Sequence, residues 1–198
     1  MVDRVVVFAD YQNVYMSARE SFHPPGATHW QGQIDPLALG RLIAERDVDR
    51  ELAGVRVYRG LPDSTRDPRG YAASHRQKAR WEQSETVHVI TRTLRYPREW
   101  PEARPQEKGI DVSLALDFLL MAVRDEYDVG VLMSTDTDLK PALEAVAELG
   151  TARPEVAAWS TASHHSRRLS IATKRLWCHW LSDTDYLDIQ DTRDYNRA

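Results

Sequence analysis

Cysteine is almost missing from this chain: Cys178 stands alone among 198 residues, so no intrachain disulfide can form and a reducing, cytoplasmic setting is expected. Long hydrophobic runs are missing too. The apolar stretch over residues 5–9 is too short for a signal peptide or a membrane span, and Asp10 ends it, so no membrane partner is expected. No tract of low complexity and no internal repeat occurs. A strong charge of one sign is also lacking: the net charge of −4 argues against a surface that is a nucleic-acid platform throughout. The charge is nevertheless uneven, with twelve basic against seven acidic residues between positions 56 and 108. Asp183, Asp185, Asp188, Asp191 and Asp194 make the end acidic, read here as a solvated tail over residues 183–198 behind a single domain over residues 1–182.

What is present is an alternation of strand and helix signals. Strands are expected over residues 2–9, 55–58, 87–90, 129–133, 155–159 and 176–181, from short β-branched or apolar runs bounded by polar or turn residues. Helices are expected over residues 11–20, 36–45, 71–83, 112–123, 139–149 and 160–172, where apolar residues recur at helical spacing or cap signals precede them. The segment over residues 112–123 is apolar on most faces, as in a helix buried against a sheet. Such alternation predicts an α/β three-layer sandwich with a mostly parallel central sheet of about five to six strands.

Two strand ends carry carboxylates. Asp10 follows the first strand directly, and Ser134-Thr135-Asp136-Thr137-Asp138 follows the strand over residues 129–133, just before a helix. Open α/β sheets bind ligands at the carboxyl ends of their strands, where the strand order reverses. Alone, an Asp after a strand is more often a helix cap. Two such strand ends side by side would bring Asp10 and Asp136 to one crevice, with Asp111 reaching it from the start of the buried helix. Asp117, about 240° further round that helix, does not share its face and reads either as a carboxylate supporting the site from behind or as structural. Carboxylates with neither Cys nor His in the set describe a hard-oxygen site for Mg²⁺ or Mn²⁺, an ion that keeps several waters, one of which can act as nucleophile.

Asp10-x-x-Asn13 after the first strand, Lys108-Gly109-x-Asp111 opening a helix, and Ser134-x-Asp136-x-Asp138-x-x-Pro141 together resemble the NYN domain, a PIN-like nuclease group that includes the LabA-like bacterial proteins. The match runs over residues 5–159, with Thr135 where the family commonly has Gly and Leu139 where an aromatic is frequent. The resemblance implies a PIN-like, Rossmann-like fold and metal-dependent endonucleolytic cleavage of single-stranded RNA. Asp10, Asp111 and Asp136 are the expected metal ligands, with Asp138 as a fourth ligand or a supporting carboxylate, and Asn13 orienting Asp10 or a water. Ser134 and Thr135 are candidates for holding the scissile phosphate, Lys108 for meeting backbone charge, and Arg92 and Arg95 in an Arg-, Tyr- and Trp-rich loop over residues 91–104 for steering RNA. The Arg76-Lys78-Arg80 helix is a second steering candidate, although the aromatics of that loop equally suit covering a sheet edge. Two other classes stand against the nuclease: a non-catalytic RNA-binding or protein-interaction scaffold, and, more distantly, a phosphatase using Asp136-x-Asp138. The expected partner is RNA, and a homodimer is left open.

Overall fold

In a computed structural model describing residues 2–161 and 167–197, β1 (Asp3–Asp10), β2 (Arg50–Leu61), β3 (Val87–Thr93), β4 (Val129–Met133), β5 (Arg153–Trp159) and β6 (Cys178–Leu181) form one sheet in the order β3-β2-β1-β4-β5-β6. Every pairing is parallel. The chain lays down β1, β2 and β3 outward in one direction, then returns so that β4 pairs with the other edge of β1. The order therefore reverses between β1 and β4, which makes that gap the topological switch point.

Helices cover both faces. Residues of α1 (Tyr11–Phe22), α2 (Pro36–Ala44), α3 (Pro68–Trp81) and α6 (Asp183–Ile189) pack with Val5, Val7, Val55 and Val131 on one face. On the other, α4 (Ile110–Val123) and α5 (Lys140–Leu149) pack with Val6, Phe8, Leu132 and Val156. The alternation along β1 is the period-2 rule of a strand buried on both sides. Sequence signals set the helix starts: Asp35 accepts hydrogen bonds from the Leu37 and Ala38 N–H groups, with Pro36 opening α2, and Ser182 and Asp185 form a capping box on α6.

Several expectations are corrected. The helix expected over residues 160–172 falls partly on residues 162–166, with His164 and His165, outside the described residues, while residues 167–172 carry no helix. The acidic end does not read as a solvated tail through residue 191, because α6 buries Tyr186 and Ile189 and Asp191 is itself buried. Apolar residues at positions 186 and 189 share a helix face, and that pattern outweighs the acidic composition around them. Nor is α4 buried all round: Ile110, Leu114, Phe118 and Ala122 face the sheet, whereas Val112, Leu116, Leu120 and Val123 are exposed. Among the described residues, no helix is long and apolar enough to cross a membrane.

Candidate metal centre and its neighbouring cavity

β1 ends at Asp10, which is both the last strand residue and the N-cap of α1. Its Oδ1 accepts from the Asn13 N–H at 3.2 Å, and its Oδ2 accepts from Ser134 Oγ at 2.8 Å. Across the switch point, Asn13 Oδ1 accepts from both the N–H (3.0 Å) and the hydroxyl (3.1 Å) of Thr135. Ser134 Oγ also accepts from the Asp136 N–H at 3.0 Å, and Asp136 Oδ1 caps the following 3₁₀ turn by accepting from the Asp138 N–H at 2.9 Å. The loops after β1 and β4 are thus tied together by Asp10, Asn13, Ser134 and Thr135. Both hydroxyls expected to hold a phosphate are already used in that cross-link.

Asp10, Glu107, Asp111 and Asp136 line one open cavity of about 420 Å³, together with Gln12 and Asn13. Three of the carboxylates are harder to ionise than usual. Burial pushes Asp10 up to about 6 against the donation from Ser134 and Asn13, and Asp111 and Glu107 add to the rise. Burial also raises Glu107, with Asp111 contributing, and raises Asp111, with Asp136 and Asp138 contributing. Among the described residues, none of the four stands within ion-pair distance of a basic side chain. A cluster of like charge left without a counter-cation is costly, and oxygen donors of this type suit Mg²⁺ or Mn²⁺.

Glu107 belongs to the cluster although no motif in the sequence marks it. It sits one residue before Lys108-Gly109, and its Oε1 accepts from the Gly60 N–H at 2.5 Å. With its amide oriented to satisfy both ends, Gln12 donates to the same carboxylate at 3.0 and 3.2 Å. The one signal Glu107 carries is its position four residues before Asp111, ahead of Gly109, whose φ of 77° turns the chain into α4. Asp138 is exposed and outside the cavity wall, while its charge still reaches Asp111. Asp117 lies away from the site, where it accepts from Tyr58 Oη at 2.7 Å and pairs with Arg56 at 3.0 Å. Lys108, Arg92 and Arg95 are exposed, Arg92 Nε donates to Ser113 Oγ at 2.7 Å, and Arg95 makes a backbone bridge to Gln106. In the loop after β3, Tyr96 packs edge-on against Trp100 and its hydroxyl accepts from the Asp63 N–H, so part of that aromatic set is structural. Of the second steering candidates, Lys78 donates to the Val89 carbonyl and Arg76 to the Tyr195 carbonyl.

The NYN domain profile matches residues 4–177, nearly the whole chain. This chain belongs to the NYN domain family. NYN domains are nuclease-like, with a PIN-like fold, and such nucleases typically use divalent metals. A crystal structure of a protein of unknown function from Vibrio parahaemolyticus superposes with a TM-score of 0.50 at 19% identity, covering 78% of this chain and 80% of that one, a likeness of fold. No curated protein matches the chain. Within the NYN frame, the β1 and β4 ends are neighbours at the switch point, the condition on which the sequence reading depended, with Asp10, Asp111 and Asp136 on one cavity.

Proposed function

We propose that this NYN domain is a metal-dependent endoribonuclease that cleaves single-stranded RNA. One observation carries the reading: four carboxylates from three segments, two of them at the ends of neighbouring strands, line a single open cavity, and among the described residues none of them is in an ion pair. Asp10, Asp111, Asp136 and Glu107 would hold Mg²⁺ or Mn²⁺. Bound there, such an ion supplies Lewis-acid stabilisation of a phosphodiester and activates water for in-line attack.

The chain's own residues do the positioning. Ser134 donates to Asp10 and so fixes its carboxylate, and Asn13 locks the β4 loop to the start of α1. Gln12 and Gly60 aim Glu107 into the same cavity. The exposed Lys108, Arg92 and Arg95 offer phosphate contacts to a flexible strand.

A second reading, a non-catalytic RNA-binding scaffold, draws on a specific observation: among the described residues, no three acidic, histidine or cysteine side chains stand together as ready ligands of one ion. Asp136 spends Oδ1 on the Asp138 N–H, which leaves Oδ2 to meet an ion. The deciding experiment is cleavage of labelled single-stranded RNA and DNA with Mn²⁺, Mg²⁺ or EDTA by the wild type, Asp10→Asn and Asp136→Asn. Metal-dependent cleavage of RNA that both substitutions abolish is the expected result. RNA binding without cleavage under any metal would favour the scaffold.

A further inference from the structure

A second cavity, of about 320 Å³, adjoins the carboxylate site and shares Gln12 and Glu107 with it. Tyr11, Tyr15, Leu94 and Tyr195 supply ring and apolar surface to its wall, and Arg59, at the end of β2, supplies a cation. The wall is preformed: Arg76 donates to the Tyr195 carbonyl at 2.9 Å, and Tyr195 Oη donates to Asp191 Oδ2 at 2.6 Å.

Arg59 is unusual for a half-buried guanidinium. It lies over the rings of Tyr11 (5.2 Å) and Trp81 (5.8 Å), and its Nη atoms donate only to the neutral Gln77 and Ser74 side chains. Its Nε is shielded from solvent and has no hydrogen-bond partner. Among the described residues no carboxylate lies within ion-pair distance of it, although the charge of Glu107 is felt there. Burial works against its positive charge. Buried charges are normally paired, and an arginine fork matches a phosphate in geometry as well as in sign. A volume of this size lies in the range of roughly 300–1,000 Å³ typical of small-ligand sites, and aromatic walls stack bases irrespective of sequence.

We propose that this cavity is a nucleotide subsite, in which Arg59 pairs with the phosphate of one nucleotide of the RNA strand while its base lies against the tyrosine rings. The identity of the ligand rests on the nuclease reading. Its position beside the carboxylate cavity places that nucleotide next to the phosphodiester to be cut. Glu107, between the two cavities, is held by Gly60 and Gln12 and bounds the subsite on the side of the carboxylate cluster.

The test is calorimetric binding of nucleoside 5′-monophosphates in EDTA, without turnover, by the wild type, Arg59→Gln, Ala73→Phe and Asp10→Asn. Ala73→Phe fills the cavity from α3 and leaves Arg59 in place, which guards against a folding defect peculiar to the arginine variant. Expected are binding by the wild type, a loss of about tenfold or more in both cavity variants, and no loss in Asp10→Asn. Three results would overturn the proposal: no binding by the wild type, binding untouched by Arg59→Gln and Ala73→Phe, or inorganic phosphate binding as tightly as the nucleotides. A protein that binds nucleotides this way yet cuts no RNA would sink the nuclease reading alone.

Discussion

The two edges of the same parallel sheet treat carboxylates in opposite ways. At the carboxyl edge, Asp10, Glu107 and Asp111 are gathered with no ion pair among the described residues and are all harder to ionise than usual. At the amino edge, Glu155 receives two hydrogen bonds from Arg50 at 2.9 Å and one contact from His179 at 2.7 Å. Burial alone would raise Glu155, but His179 and Arg50 hold it below its ordinary value. Hydrogen bonds from Arg4 likewise lower Asp128, just before β4. The difference separates acids that ion pairs build into the fold from acids that burial and like charge make harder to ionise.

The contrast meets its most severe test at Glu155. Glu155→Gln leaves Arg50 and His179 facing a neutral amide, and breaking a buried pair of this kind costs about 3–5 kcal/mol. Urea melts at neutral pH should register that loss, and a change under ~1 kcal/mol would mean the amino-edge cluster is not structural. At the other edge the effect should fall on activity. Asp111→Asn and Glu107→Gln are expected to lower metal-dependent RNA cleavage by roughly 100-fold, with folding stability in EDTA unchanged or slightly raised. Equal losses of stability and rate would place these acids with the structural set.

The pH response separates the two sets again. A carboxyl raised on folding binds its proton more tightly in the native state, so the stability it contributes is present at low pH and declines as pH rises through its folded value. For Asp10 that decline runs from the unfolded value of about 3.8 up to about 6. Asp10→Asn in EDTA should therefore gain on the wild type across that window, by about 3 kcal/mol at pH 7. Glu155, lowered on folding, has the reverse sign: its contribution is present above its unfolded value and lost as pH falls through the folded one. The deficit of Glu155→Gln should shrink on acidification, and parallel pH profiles for the two variants would contradict the assignment. The smallest effect is expected at Asp117→Asn, about 1 kcal/mol of stability from a half-exposed contact to Arg56 and Tyr58, with cleavage rates unchanged.

Much of the site is legible along the chain. Asp10, Asp111 and Asp136 can be read there because each stands at a change of hydrophobic period, and such changes are local. Glu107 cannot, since an acid among Gln106, Lys108 and Gly109 resembles any solvated loop until Gly60 and Gln12 are seen to aim it. Ser134 and Thr135 stand out as a hydroxyl pair beside the carboxylates, but their partners Asp10 and Asn13 across the sheet leave no trace in sequence spacing. Arg59 is, by sequence, one basic residue among twelve.

Neighbours along the chain were enough to set most of the alternation of strands and helices, the cap at Asp35, and the motifs that mark an NYN domain. Folding in three dimensions was needed to make β1 and β4 adjacent, to leave one face of α4 exposed, and to settle which acids meet a cation. Coulomb and desolvation energies depend on distances in space, and those distances come into being only when segments far apart in sequence are folded together.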